Sequence, residues 1–469
     1  MARTLIGPTV RRLRQERSRT QQALASRLGI SASYLNLIEH DQRPVTASLL
    51  LKLAEVFQVD LTALSGARER QVETGLREVL RDPLLGLDAV PEAEVATLAQ
   101  GAPTAAKAML ALYRAWRVAR EDAGGLALPS GRKLLLPTEE TRDFFHDRAN
   151  HFPALEEAAE AIGRELPDAP AELNHAIAER LRGRHGLSIM VGPTEGTLRR
   201  YDPASRRLDL SEELPRESRG FHMAFQLMLI EARDAVEGIV AAAAPSTQEA
   251  GSLIRIGLLN YAAAALLMPY ERYREAAAAL RHDLDRLAAR FGVSFEQACQ
   301  RLTTLQRDGA RGVPFFFLHV DPAGNVGKRF SAAGFPFARF GGSCPRWMVH
   351  GAFSTPGVLR VQPVELPDGA AFLTIARTVE GRAARWGEPV PVHVVALGCE
   401  IGRAEEVVYA DGLDLDRARV GIGLSCRLCD RAECRSRAFP PLEHRLALDP
   451  AVAGSAPYRF RTPEPGRER

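Results

Sequence analysis

Apolar residues recur at intervals of three and four through most of the chain as far as about residue 310, and beyond it the period shortens to two. The first pattern predicts amphipathic helices and the second predicts strands. The sharpest local signals lie in TQQALASRLGISASYLNLIEHDQR, from Thr20 to Arg43. Thr20 can cap a helix whose Ala23, Leu24 and Leu28 share one face; Gly29 supplies a permissive turn, and Ser31 caps a second helix that buries Leu35 and Ile38. The outer face of that helix carries Ala32, Ser33, Tyr34 and Asn36. These groups can meet base edges and phosphates without bringing a carboxylate with them, so double-stranded DNA is the expected partner.

Helices separated by Pro91 and Pro103 follow. Met109, Leu112, Tyr113 and Trp116 recur there as one stripe, which suits core packing or a second subunit. From Leu134 to about Ala310 the pattern stays helical except at LSIMVGPTEGTLRRYDPASRRLDL, which reads as a small hairpin. In VSFEQACQRLTTLQR, Ser294 and Gln297 make a capping box, and Ala298, Leu302 and Leu305 form an inward face bordered by Cys299. Two hairpins are then predicted, VPFFFLHVD with VGKRFS and GVLRVQPVEL with AAFLTIARTV, and PVPVHVVALG adds a central strand. The fold class is therefore mainly α with an α+β C-terminal part on an antiparallel sheet. The expected domains are 1–66, 67–130, 131–310 and 311–469.

Composition narrows the function. With 46% hydrophobic and 25% charged residues in 469, the chain is globular, and a net charge of only +3 means that DNA affinity must come from a local patch such as Arg11, Arg12, Arg14 and Arg43. The apolar runs read as too short for a bilayer and the N-terminus shows no apolar signal region, so no membrane role and a cytoplasmic site are expected. Three of the six cysteines crowd into SCRLCDRAEC. Cys426, Cys429 and Cys434 in C-x2-C-x4-C can wrap a metal centre, with Cys399 at the end of the preceding strand as the fourth thiolate; Cys344 is the alternative. The spacing suits zinc or an iron-sulfur cluster equally. Aromatic groups in DFFHDRANHF and arginines in AERLRGRHG and LRRYD suit a ligand with phosphates and an apolar tail.

Several segments resemble known families. The first sixty-five or so residues resemble the lambda-repressor-like (XRE) DNA-binding domains through Gln21, Ala25, Gly29 and Glu39. That resemblance implies that Gln21 touches a phosphate and braces the recognition helix while Ala32, Ser33 and Asn36 face bases. The helix ESRGFHMAFQLMLIEARDAV resembles the active-site helix of ImmA/IrrE-like zinc peptidases, but Phe225, Gln226 and Leu229 stand where those enzymes carry H-E-x-x-H, and His222 is a lone imidazole. A peptidase-like sensor rather than an enzyme follows. With VSFEQACQRLTTLQR, GGSCPRWMVH and the terminal cysteines, nearly the whole chain resembles the short-chain fatty acyl transcriptional regulators. That family implies control of short-chain fatty acid genes, a short acyl-CoA ligand and, in some members, a 4Fe-4S cluster. Carried here, the cluster falls to Cys399, Cys426, Cys429 and Cys434, and the expected acyl-CoA contacts are Phe144, Arg180, Arg199, Arg200 and Tyr261. A homodimer or higher oligomer is expected, because one helix-turn-helix covers one half-site.

Overall fold

The computed structural model describes residues 6–17, 19–40, 42–57, 59, 67–82, 85, 90–123, 137–194, 196–337, 344–381, 386–441, 446–456 and 458–460. They form two compact units: 1–134 with 334–344 and 423–469, and 135–333 with 345–422.

The first unit opens with α1 (Gly7–Glu16), α2 (Gln21–Leu28), α3 (Ala32–Glu39) and α4 (Ala47–Phe57). Thr20 and Ser31 accept the amide hydrogens of Ala23 and Tyr34, and Gly29 ends α2 at φ 70°. Those caps leave Leu24, Leu28, Leu35 and Ile38 to pack with Leu53 and Phe57. α5 (Ala67–Leu80), α6 (Glu92–Gly101) and α7 (Pro103–Ala123) enclose a separate core of Val72, Leu76, Ala99 and Leu110. The stripe on α7 divides: Tyr113 joins this core, Met109 and Trp116 pack on it, and Leu112 is 70% exposed.

In the second unit α8 (Pro137–Asp147), α9 (Pro153–Gly163) and α10 (Pro170–Gly183) precede a small sheet. The segment expected as a hairpin supplies three strands, β1 (Ser188–Gly192), β2 (Arg199–Asp202) and β3 (Arg207–Ser211). β2 and β3 do form the hairpin, with Asp202 accepting hydrogen bonds from Ala204 and Ser205 in the turn, while β1 adds parallel to β3. α11 (Arg216–Glu231), α12 (Arg233–Ala243), α13 (Gln248–Leu267), α14 (Tyr270–Ala279), α15 (Leu284–Phe291) and α16 (Phe295–Leu302) follow. By length and composition α13 alone among the described helices could cross a membrane, contrary to the reading of its sequence. It is the central helix of this unit, packed on α8, α9 and α11 through Ala262, Ala263 and Leu266.

A six-stranded sheet completes the unit in the order β5-β4-β8-β7-β6-β9. Its strands are β4 (Phe315–Val320), β5 (Val326–Ser331), β6 (Arg360–Glu365), β7 (Ala371–Glu380), β8 (Val392–Glu400) and β9 (Val420–Gly421). Both expected hairpins and the central strand are present, and β9 pairs parallel with β6, which makes the sheet mixed. Phe315, Leu373 and Leu397 share one core with Leu258, Leu266 and Leu302, so the helices before residue 310 and the sheet after it pack around one interior. The capping box of Ser294 and Gln297 is formed and Cys299 is fully buried.

Candidate functional site

On the DNA-binding head, Ala32, Ser33, Asn36 and Arg43 are exposed, whereas Tyr34 is half-buried against the head core. Ser31 spends its hydroxyl on the cap. Gln21 Nε2 donates to Asn36 Oδ1 at 3.2 Å and to Glu39 Oε2 at 2.8 Å. Arg14 grips the same carboxylate with Nε and Nη2 at 2.6 and 2.9 Å, with Glu39 fully buried. The pair pulls α1 and α2 onto α3 and sets the angle of the recognition helix. Arg14, expected on a phosphate, is thus an internal strut. Helical spacing could not reveal this, because its partner lies 25 residues away.

The second unit holds a cavity of about 420 Å³ bounded by α8, α11, α13, α16, β4 and β5. Phe145, Phe221, Leu253, Ile256 and Phe317 make its walls apolar, and Arg142, Lys328 and Arg329 bring positive charge. Arg142 pairs with Glu139, and Lys328 with Glu296 at 3.0 Å. Partly exposed pairs of this kind are weak and can exchange for a ligand's phosphates. Gly257 is where α13 meets the cavity: a Cβ there would lie 2.6 Å from the Phe145 ring.

Tyr261 and Arg301 also line the cavity and belong to a buried network. Arg301, 0% exposed, donates to both oxygens of Glu156 at 2.7 and 2.9 Å, to Met268 O at 2.9 Å and to Thr304 Oγ1 at 2.9 Å. Tyr261 Oη donates to Glu156 Oε1 at 2.5 Å. Burial would raise the Glu156 carboxyl, but the charge and hydrogen bonds of Arg301, with Tyr261, hold it below the ordinary carboxylate range. A guanidinium on an otherwise apolar helix face was the available sequence signal; its partner, 145 residues upstream, was not.

Of the five expected ligand contacts only Tyr261 lines this cavity. Phe144 is buried beneath the Arg148 guanidinium. Arg180 is bidentate to Glu231 at 2.7 and 2.6 Å and also holds Glu165. Arg200 is exposed on β2, and Arg199 points to the other side of that strand. On α11 the frame that keeps an imidazole is H-M-A-F-Q, from His222 to Gln226, three residues earlier than the sequence reading set it. One imidazole with Met223 and Gln226 supplies no zinc site of the H-E-x-x-H kind.

Cys426, Cys429 and Cys434 are buried in the loop that begins with the 3-10 turn Cys426–Leu428. Burial pushes the Cys429 thiol up, and Cys344 and Cys434 act on it in the same direction, so these thiols are neighbours. Cys399 is different. It is the penultimate residue of β8 in the second unit, opposite Phe315 and Leu373, is 0% exposed, and burial pushes its thiol up to about 12. The strand was read correctly: Val394–Cys399 are buried and Cys399 packs in the core of the second unit, while Cys344 lies beside Cys429.

Among the described residues no three of His, Cys, Asp and Glu are gathered tightly enough to hold a metal as they stand. The donor set nevertheless suits a four-thiolate centre. The amide of Ala438 donates to Cys426 Sγ at 3.3 Å, and Gly423 leaves only 2.8 Å between a would-be Cβ and Cys429 Sγ. Arg437, 2% exposed, threads the loop and donates to the carbonyls of Cys426, Cys429 and Arg431 at 3.0, 3.1 and 2.6 Å, while its buried Nε has no partner. A cation buried among thiols is matched once those thiols ionise.

Comparison with known proteins agrees with this layout. Residues 10–64 match the helix-turn-helix family, 182–303 the IrrE N-terminal-like domain, and 304–458 the short-chain fatty acyl coenzyme A regulator C-terminal domain. The HTH-type transcriptional regulator RamB of Mycobacterium tuberculosis is 40% identical over 470 residues, covering 98% of this chain and 99% of the relative. PrpR of the same organism is 39% identical, with 97% and 96% covered. The propionyl-CoA carboxylase regulator of Cereibacter sphaeroides is 42% identical over 458 residues, with 97% and 98% covered. A solved Mycobacterium tuberculosis transcriptional regulator superposes with a TM-score of 0.66 at 40% identity, over 69% of this chain and 99% of that one. These relatives are transcriptional regulators rather than enzymes. With its helix-turn-helix head, its peptidase-like middle and its cysteine-bearing C-terminal part, the chain is a helix-turn-helix transcriptional regulator and belongs to the short-chain fatty acyl coenzyme A regulator family.

Proposed function

We propose that the protein senses a short-chain acyl-CoA, such as the acetyl or propionyl thioester, and couples its binding to operator affinity in control of short-chain fatty acid metabolism. The observation that carries this reading is the cavity beside α13, whose apolar walls, amide groups and basic rim occur together. The acyl chain and pantetheine arm are matched by Phe145, Phe221 and Phe317, the pantetheine amides by Asn260 and Gln300, and the phosphates by Arg142, Lys328 and Arg329. Tyr261, held by Glu156 and expected from the start, faces the same space, and Arg142, Lys328 and Arg329 stand in for the arginines first expected there. The relatives' names, one of them a propionyl-CoA carboxylase regulator, support the substrate class.

The ligand acts by favouring one arrangement of two DNA-binding heads in a homodimer or larger assembly, and it can do so only through a difference in affinity between arrangements. The working site is the cytoplasm. A 4Fe-4S cluster on Cys344, Cys426, Cys429 and Cys434, or zinc as the alternative, holds the C-terminal loop. The test is thermal unfolding of the full chain with a series of acyl-CoA thioesters. A ligand at about 100 times its Kd adds about 2.7 kcal/mol to the folded state. A rise with short acyl-CoA that is absent with free CoA, and is lost in Gly257→Phe, supports the reading. No rise with any thioester, or an unchanged rise in that variant, refutes it.

A further inference from the structure

The remnant of the peptidase centre on α11 has a feature that acyl-CoA sensing leaves unused. Along β2 the alternation turns Arg199 and Tyr201 inward and Arg200 and Asp202 outward. The Arg199 guanidinium comes to rest with its Cζ 3.8 Å from the Phe225 ring centroid and Nη1 3.5 Å from Gln226 Oε1. No carboxylate pairs with it among the described residues. Two arginines of the same unit do pair with carboxylates, Arg180 with Glu231 and Glu165 and Arg207 with Asp209. Gln226 is 0% exposed, and its Nε2 has no hydrogen-bond partner. His222, one turn earlier on α11, feels the charge of Arg199.

We propose that Arg199, His222 and Gln226 form an oxyanion site, separate from the cavity beside α13, that receives a single carboxylate or phosphate group. The argument is one of charge complementarity. In an H-E-x-x-H site two imidazoles and a carboxylate surround a metal cation. Here Met223 and Gln226 occupy the second and fifth places of that motif, and the positive charge is supplied by the chain itself through Arg199. What remains is a set of donors: a guanidinium fork, a carboxamide N–H with nothing to bond, and an imidazole.

Burial and the neighbouring guanidinium push His222 down to about 4, so at neutral pH it is uncharged and carries one N–H. Burial also lowers Arg199 to about 10, the mark of a cation without its anion. A buried donor left unbonded costs free energy, and an oxyanion satisfies several at once. Arg199 and His222 are half-buried, so the group can arrive from solvent, with Gln226 as the floor.

The test uses the full chain and thermal unfolding in sodium acetate, in inorganic phosphate and in chloride at matched ionic strength. Acetate or phosphate should raise the midpoint saturably where chloride does not, and the effective anion tells carboxylate from phosphate. Gln226→Glu places a carboxylate on Arg199. It should be more stable than the parent in chloride and should need at least tenfold more anion for half its response, while keeping its response to acyl-CoA. Arg199→Met should lose the anion response. No saturable anion-specific rise in the parent, or the same half-saturation in Gln226→Glu, overturns the proposal, and the second comparison holds even if Arg199→Met does not fold.

Discussion

Arg301 gives the most demanding test of how the sensor unit is held together. Replacing it with methionine keeps the length and apolar stem but removes a guanidinium that makes two hydrogen bonds to Glu156 and one each to Met268 and Thr304. Glu156 is 1% exposed and stays behind. Removing one partner of a fully buried ion pair costs about 3–5 kcal/mol, mainly because the remaining charge is uncompensated. At roughly 2–4 °C per kcal/mol for large domains, the midpoint should fall by about 6–20 °C.

The pH dependence carries the sharper prediction. In the native protein the Glu156 carboxyl is held below its ordinary range, so its contribution is present above the unfolded pKa and is lost as pH falls through the folded one. In Arg301→Met burial, which raises the carboxyl, is opposed only by the Tyr261 hydrogen bond and the weaker influence of His151, and the carboxyl moves up. The variant should therefore recover stability as pH falls toward 5, where the parent has none to recover. Calorimetry or circular dichroism between about pH 5 and 8 reads this, and Glu156→Gln with Arg301→Met should regain much of the loss, since glutamine still accepts from Tyr261. A loss under about 1 kcal/mol, or equal pH slopes in variant and parent, would show that the pair is not the buried anchor described here.

Three further outcomes are expected. Glu39→Gln frees Arg14 and Gln21 and should cost the head about 1–3 kcal/mol, with a weaker but similarly salt-dependent operator affinity in fluorescence anisotropy; unchanged affinity and stability would remove Glu39 as the brace. Cys344→Ser should lower bound iron or zinc, whereas Cys399→Ser should keep it, and elemental analysis of anaerobically purified protein showing the reverse would restore Cys399 as a ligand. Gly398→Ala drives a Cβ to 2.6 Å from the Leu373 carbonyl and to within contact of Phe316, so about 1–3 kcal/mol of overpacking should appear in urea titration; a neutral result would mean that β7 and β8 can separate without cost.

What the sequence by itself determined was local. Thr20, Gly29 and Ser31 specify the helix-turn-helix because caps and turns are settled within four residues, and the same holds for the Ser294 and Gln297 box and for the alternation that marks β4 to β8. Tertiary structure decided where long side chains end. Arg14 was expected on a phosphate and Arg180 on the ligand, and nothing was expected of Arg301, yet each is committed to a carboxylate 25 to 145 residues away. Cys399 was expected as a ligand from its place at the end of a strand, and only the tertiary structure shows that both faces of β8 are covered from Val394 to Cys399 and that the thiol packs in a core. Arg199 was expected on the acyl-CoA, and only the pleat of β2 shows that it turns toward Gln226 instead. Pairing and burial depend on contacts between distant segments, and such contacts leave no periodicity in the chain for a sequence reading to find.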